Sequence, residues 1–345
     1  MDKKSNTTIN DVARVAGVSK RTVSRVINNS ALVGEKTRVK IQQVIDELNF
    51  QPDKQARGLA SKRSYLLGLI YDNPDALYID QVQRGALEVC TKLGFELVVH
   101  PCHWNNADFI EDCISFIHRS RVDGVLILPP VSESRELAKA LQERDFPYVR
   151  IASADLDDHS NIVISNDRKA MTEIAEHLVT LGHDDIAIIS GPLHFCSSTE
   201  RLEGLCSALK EKGHEVPKER ILEGQNSYES GIECAKQLFA QQPYPSAIYA
   251  NNDEMAAGVM RAAKDCGVAI PEQLSLVGFD DNIIASRMIP SLTTIRRPVE
   301  QIASLATKKL IRSFATEASN EKLEWEVTPY LIVRDSTVTP PDKES

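Results

Sequence analysis

The segment GVSKRTVSRVINN, residues 17–29, sets Lys20, Arg21 and Arg25 among hydroxyl side chains on a stretch of helix formers. Lysine and arginine donate to guanine O6 and N7 in a DNA major groove, and Ser19, Thr22 and Ser24 suit contacts to phosphate oxygens. A second polar set lies far downstream. Asn252 and Asp280 follow apolar runs, and Arg201 stands at a predicted helix start in GPLHFCSSTERLEG. Asp, Asn and Arg side chains meeting at a cleft hold hydroxyl-rich molecules through paired hydrogen bonds. The two sets require different scaffolds.

For the first set, Thr8 can cap a helix starting at Ile9, with Asp11 closing an acidic variant of the capping box. Ile9, Val12, Ala13 and Ala16 follow helical spacing, and Gly17 ends the helix. Ser19 caps a second helix running to about Asn28, with Val23, Val26 and Ile27 inward and Lys20, Arg21, Ser24 and Arg25 outward. A third helix, EKTRVKIQQVIDELNF, offers Val39, Ile41, Val44, Ile45 and Leu48. Two short helices joined by a tight turn and braced by a third form the helix-turn-helix arrangement, whose second helix meets base edges. A basic three-helix bundle with a solvated face shows the same pattern, so pattern alone leaves both readings open. Charge adds to the first. Residues 1–62 hold twelve Lys/Arg against six Asp/Glu, while the whole chain carries −9, so the remainder is strongly acidic. A basic head on an acidic body suits a head that meets a polyanion.

For the second set, strand-like runs (LLGLIYD, FELVVHP, VDGVLILPP, PYVRIA, NIVISN, IAIISG, SAIYAN and LSLVGFD) alternate with amphipathic stretches from Tyr65 onward. Repeated strand-helix units predict open, doubly wound parallel sheets, and this many strands fit two sheets better than one. Ligands bind such sheets beyond the carboxyl ends of the strands. Asp72, Asn73, Asn166, Asp167, Asn251, Asn252, Asp253, Asp280 and Asp281 occupy those places, with Tyr78 starting a helix. Asp72, Asp167 and Asp281 read as caps or surface turns, whereas Arg201, Asn252 and Asp280 read as binding groups. Arg150, inside a strand run, needs a partner: a pocket role and a structural ion pair are both open.

Composition removes other classes. The 345 residues exceed one typical core, so two or three domains are expected. No run of eighteen apolar residues offers a membrane span, and the basic N-terminus lacks an apolar segment behind it, which argues against a secretory signal and for a cytoplasmic protein. Seven scattered cysteines without a Cys-x-x-Cys pair read as reduced thiols. No metal-ligand spacing, phosphate-binding lysine loop or G-x-S-x-G motif is present, so no catalytic residue, metal or cofactor is expected.

The stretch TINDVARVAGVSKRTVSRVINN, followed by KTRVKIQQVIDELNFQPDKQARGLASKRS, resembles the head of lactose-repressor-type (LacI/GalR) transcription regulators. The family run of D-V-A-x-x-A-G-V-S-x-x-T-V-S-R-V is met from Asp11 to Val26; Gly34 departs from the Ser or Thr that usually caps the third helix. The resemblance implies DNA contacts from Thr8, Ser19, Lys20, Arg21, Thr22, Ser24, Arg25 and Asn28. It also implies a hinge in which Arg57, Leu59 and Ala60 meet the minor groove, Leu59 as a wedge. The blocks EHLVTLGHDDIAIISGPL, ERLEG, ANNDEMAAGVMRAAKDCGVAIPEQLSLVGFDD and PSLTTIRRP resemble the family's regulatory module, which shares its fold with periplasmic sugar-binding proteins. Effector contacts then fall on Arg201, Asn252 and Asp280, with Tyr78 and Ile79 on the first lobe's wall; Asn166 and Asn226 join as departures, the first inverting an Asp-Asn pair and the second replacing an aromatic.

The implied organisation is an all-α helix-turn-helix head over 1–52, a hinge over 53–64, and an α/β effector and dimerisation body over 65–340. Lobe 1 spans about 65–164 plus 294–325, and lobe 2 about 165–293 plus 326–340. No leucine heptad follows, so a homodimer is expected. The implied function is a repressor of carbohydrate-utilisation genes whose affinity for a pseudo-palindromic double-stranded operator is switched by a small sugar-type effector. Inducer and corepressor are both open from the residues, and the family's sugar-responsive members point to an inducer. A solute-binding protein of sugar transport is the alternative, opposed by the basic head.

Overall fold

A computed structural model describes residues 7–27, 32–48, 50, 63–72, 75–314 and 324–341. The chain divides into two units, residues 1–65 and 66–345.

In the first unit, helices α1 (Ile9–Ala16), α2 (Lys20–Ile27) and α3 (Glu35–Glu47) enclose a core of Val12, Ala16, Val23, Val26, Ile41 and Val44. The Asp11 carboxylate accepts from Thr8 N–H (3.0 Å) and from its hydroxyl (2.7 Å). Gly17, at φ +66°, caps α1 in a left-handed conformation that a side chain would strain. Ser19 Oγ accepts from Thr22 N–H at 3.1 Å, capping α2. Gly34 caps α3 with its backbone alone. Val39 stays 49% exposed, because it falls off the Ile41–Val44–Leu48 face; Val33 and Phe50 fill the core in its stead.

The second unit holds two six-stranded sheets. The first runs in the order β11-β5-β4-β3-β1-β2, all parallel, from β1 (Leu66–Tyr71), β2 (Glu96–Pro101), β3 (Gly124–Ile127), β4 (Tyr148–Ala152), β5 (Ile162–Ser165) and β11 (Glu326–Val327). The second runs β12-β10-β9-β8-β6-β7, from β6 (Ile186–Ser190), β7 (Ile221–Glu223), β8 (Ala247–Ala250), β9 (Ser275–Asp280), β10 (Thr293–Arg296) and β12 (Tyr330–Ile332), with only β12 antiparallel. All eight strand runs picked out in the sequence form strands. The chain passes between the sheets after 165, after 296 and after 327. The last two passages lie beyond the expected 294 and 325, since Thr294 and Arg296 still pair with Gly278 and Asp280, and Val327 with Ser165.

Helices cover both faces of each sheet. On the first sheet, α4 (Ala76–Leu93) and α11 (Val299–Ser313) share one face, while α5 (Phe109–Ser120) and α6 (Arg135–Gln142) cover the other. The α4–α11 crossing is close enough that a Cβ on Gly85 would collide with the Glu300 carbonyl. On the second sheet, α7 (Asp167–Leu181) and α8 (Cys196–Glu211) bury Ile174 and Leu205 against Tyr249 and Phe279. Helices α9 (Tyr228–Ala240) and α10 (Asp253–Cys266) bury Leu238 and Val259 against Ile248 and Leu276. Arg150, 1% exposed, proves to be a structural pair: it bonds Asp157 Oδ2 (3.1 Å) and the Ser132 and Leu156 carbonyls. No helix among the described residues is long and apolar enough to cross a membrane.

The C-terminal segment straps the second sheet. Ser336 bonds Leu276 and Thr293, His183 bridges Ser246 Oγ (3.0 Å) and Val338 O (2.9 Å), and His177 meets Thr337 Oγ1 (2.9 Å). Burial pushes both imidazoles below the usual 6.5. The unfolded chain then binds protons that the folded chain resists, so stability falls as pH drops below about 6.5. The thermal midpoint of the body should decline from pH 7 to 5, and the His177→Gln/His183→Gln double variant should decline less; parallel pH profiles would assign the loss to other groups.

Candidate functional site

On the head, Thr8, Ser19, Lys20 and Arg21 are exposed, and Thr22, Ser24 and Arg25 half-buried. Lys20 and Arg21 form the first turn of α2, where side chains project past the helix end. Ser19 Oγ and Thr22 Oγ1 also lie 2.8 Å apart, so capping uses part of the hydroxyl capacity expected for phosphate. Asn28, Arg57, Leu59 and Ala60 lie outside the described residues.

The second site forms where the carboxyl ends of the two sheets face each other. At its centre Arg201, on α8 and 4% exposed, sends Nε to Asp167 Oδ2 (2.8 Å) and Nη1 to Asn251 O (2.8 Å), with its guanidinium 3.6 Å from the Phe279 ring centroid. Asp167 is fully buried and also accepts from Ser153 Oγ (3.1 Å) and Ser165 Oγ (2.5 Å), both at ends of first-sheet strands. The reading of Asp167 as a cap or surface turn is therefore corrected: it joins the two lobes. Asp281 is corrected likewise, since its nearly buried carboxylate pairs with Arg296 and Arg334. Asp72 accepts from Trp104 N–H (2.9 Å).

Asp280 ends β9 and pairs with Arg297 at 2.8 Å, while the Arg297 guanidinium stacks 4.7 Å from the Tyr78 ring centroid. Asp280 Oδ1 is close to Arg297 Nη2 yet off the N–H direction, so it keeps a free acceptor site. Burial raises the Asp280 carboxyl, and Arg297 and Arg201 oppose that rise. Burial also raises the Tyr78 and Tyr249 phenols, which stay protonated donors. Ile79 is buried beside Tyr78 on α4.

The asparagines divide. Asn166 caps α7, accepting from Lys169 N–H (3.0 Å) and donating to Glu326 Oε1 (3.0 Å). Asn252 caps α10, accepting from Met255 N–H (2.8 Å) and donating to Asn226 O (3.1 Å). Both amides, expected in the site, cap helices here, and each keeps a second N–H and a second carbonyl lone pair beyond these bonds. Asn226, at φ +56°, accepts from Asn251 Nδ2 (2.8 Å), and Asn251 keeps an unpartnered carbonyl. Of the six buried side-chain polar atoms without a partner among the described residues, five gather here: Ser198 Oγ, Tyr249 OH, Asn251 Oδ1, Asp280 Oδ1 and Arg297 Nε. Three of those residues, Ser198, Tyr249 and Arg297, were not expected in the site, while Asn251 stood among the strand-end candidates. Arg297 follows β10 directly and Asn251 follows β8, so the strand-end rule reaches both; nothing in the sequence singles out Tyr249 or Ser198.

The lobes are also held at the cleft mouth. Cys196 N–H, at the start of α8, donates to Glu133 Oε2 of the first lobe (3.0 Å), and Trp104 of the first lobe stacks on His194 with ring centroids 6.2 Å apart. Between Tyr78, Pro129, Ser153, Ser165 and Arg297 the remaining void is about 10 Å³, room for about one water. Among the described residues no three His, Cys, Asp or Glu side chains gather to hold a metal.

A family model described as bacterial regulatory proteins, lacI family, matches residues 8–53, and one for a periplasmic binding protein-like domain matches 175–337. The chain is 31% identical to a probable HTH-type transcriptional repressor, ExuR, of Bacillus subtilis, over 95% of this chain and 98% of the relative. It is 30% identical to the ribose operon repressor of Escherichia coli, over 95% and 99%. Among solved structures, a lac repressor dimer bound to operator and an anti-inducer superposes with a TM-score of 0.74 at 29% identity, over 97% of this chain and all of that one. A CelR–cellobiose complex gives 0.71 at 25% identity, over 96% and all of that chain.

Removing one member of a buried ion pair leaves the other uncompensated, at a cost of about 3–5 kcal/mol. Arg201→Met should destabilise the body on that scale in urea unfolding, and Asp167→Asn added to it should recover most of the loss. Additive losses in the double variant would show that the two side chains do not act as a pair.

Proposed function

The chain belongs to the lacI family of bacterial regulatory proteins, and from that premise we propose that it represses carbohydrate-utilisation genes in the cytoplasm and releases its operator when a small sugar-type inducer binds between the lobes. The observation behind the effector site is the convergence of five orphaned polar atoms on the second lobe's side of the cleft, with Arg297 lying on Tyr78 of the first. Buried donors and acceptors without partners cost free energy, and a polyol supplies both in one molecule. Tyr78, Ile79, Asn166, Arg201, Asn226, Asn252 and Asp280 are the expected contacts, joined by Ser198, Tyr249, Asn251 and Arg297.

The void between Tyr78, Ser153, Ser165 and Arg297 has room for about one water, so a sugar that reaches those side chains requires the lobes to part and close again. An effector that favours one lobe arrangement biases a two-state equilibrium, and the operator-bound arrangement gains or loses by the same coupling. In a homodimer two heads read successive major grooves of a pseudo-palindrome, with Lys20 and Arg21 setting base preference, Arg25 one turn further along the helix, and Ser19, Thr22 and Ser24 holding the backbone. Thr8, Asn28, Arg57, Leu59 and Ala60 complete the proposed DNA contacts. A transport binding protein has no use for such a head, which sets that alternative aside.

Operator affinity should fall by roughly 10³ or more between 50 and 200 mM salt if six or more phosphates are neutralised. Arg21→Ala should cost about 1–3 kcal/mol on the preferred operator and relax the choice at one base pair. A shallow salt slope in fluorescence anisotropy would count against the head as the DNA-binding element. The Asp167→Asn/Arg201→Met variant, which removes the central guanidinium without stranding a charge, should bind operator normally and no longer respond to the effector. Loss of both properties together would overturn the assignment of Arg201 to the effector site.

A further inference from the structure

The guanidiniums of the cleft are already matched. Two guanidiniums reach it, and each already faces its own carboxylate at 2.8 Å: Arg201 with Asp167, Arg297 with Asp280. Two further carboxyls stand close to Asp280. Asp253, fully buried, bonds Thr294 Oγ1 (2.6 Å) and Asn282 N–H (2.8 Å); Asp75 caps α4 through Leu77 and Tyr78 N–H. Arg296 and Arg334 are both engaged by Asp281. Among the described residues, no cation in the cleft lacks a carboxylate.

Arg297 is placed unlike the other groups. It sits in the passage between the sheets after β10, pairs with Asp280 of the second lobe, and lies on the Tyr78 ring of the first. The unpartnered atoms that remain are two hydroxyls, an amide carbonyl, one carboxylate oxygen and one guanidinium N–H, a mixed set of donors and acceptors. Hydroxyls of a neutral polyol can both donate and accept at such a set. A carboxylate or phosphate ligand would lose its hydration with no unpaired cation to compensate it, near four acidic side chains. An ammonium ligand would have to compete with Arg297 for Asp280.

Resting on the proposal that a small molecule binds in this cleft, we infer that Arg297 is a specificity-determining residue: by neutralising Asp280 it selects an uncharged sugar and rejects the corresponding sugar acid, sugar phosphate and amino sugar. The pair then acts as an exchangeable charge filter. Without Asp280 the cleft gains a free guanidinium and favours anions, and without Arg297 it gains a free carboxylate and favours ammonium groups.

The test uses the full-length protein and calorimetric titration, preceded by a thermal-shift screen. The probes are neutral aldopentoses, aldohexoses and disaccharides, with the uronic acids, sugar phosphates and hexosamines derived from them. The wild type should prefer a neutral sugar over its charged derivatives by tenfold or more. Asp280→Asn should shift the ratio at least tenfold toward the uronic acid, Arg297→Gln should shift it toward the hexosamine, and the double variant should return to the neutral sugar. Should a single substitution unfold the body, the double variant, which strands no charge, still decides: a preference for a charged derivative there overturns the filter. A wild type that prefers the acid or phosphate overturns the inference while leaving the effector cleft in place. Failure of every probe to bind the wild type overturns the cleft's proposed function itself.

Discussion

A carboxylate removed entirely from water must be matched on every side, and Asp167 is matched from both lobes at once. Its oxygens take the Ser153 and Ser165 hydroxyls from the first sheet and the Arg201 guanidinium from α8 of the second. It sits where the chain first leaves one sheet for the other. Arg201 in turn is fixed by that bond, by the Asn251 carbonyl and by the Phe279 ring, so few orientations remain to it. The position of the Arg201 guanidinium thus depends on the two sheet edges staying in register across the cleft. Interaction within one lobe would not have that consequence.

The fold was largely legible because buried parallel strands announce themselves as continuous apolar runs. What escaped were pieces too short for any period to show: Ile221–Glu223, Glu326–Val327 and Tyr330–Ile332. Placing the crossover at about 294, inside TTIR, also hid Arg297, since the strand-end rule applies only once the strand is recognised. In the head, the spacing of Ile41, Val44 and Leu48 located α3, but Val39 two residues earlier was assigned to the wrong face.

The site was legible by place and less so by role. Strand ends followed by helix starts are where ligand groups stand in such sheets, and they are also where N-caps stand. Asn166 and Asn252 meet both descriptions, and the observed bonds show that each caps a helix. Asp167 and Asp281 failed in the opposite direction: both had the appearance of turn residues and are buried in ion pairs whose partners lie at least 15 positions away in sequence. Pairing at that range has no local signature. Tyr249 is less accessible still to inspection, being one more apolar-looking position within a buried strand.

Helix α8 begins without a side-chain cap of its own, and the acceptor at its first turn is Glu133, which belongs to the opposite lobe. Separation of the lobes therefore does more than widen a cleft: it deprives the helix bearing Ser198 and Arg201 of its terminal acceptor and leaves the Cys196 amide to solvent. Order in that first turn and closure of the body become a single equilibrium, so the amide protons of residues 196–199 should exchange at a rate that reports how often the lobes come apart.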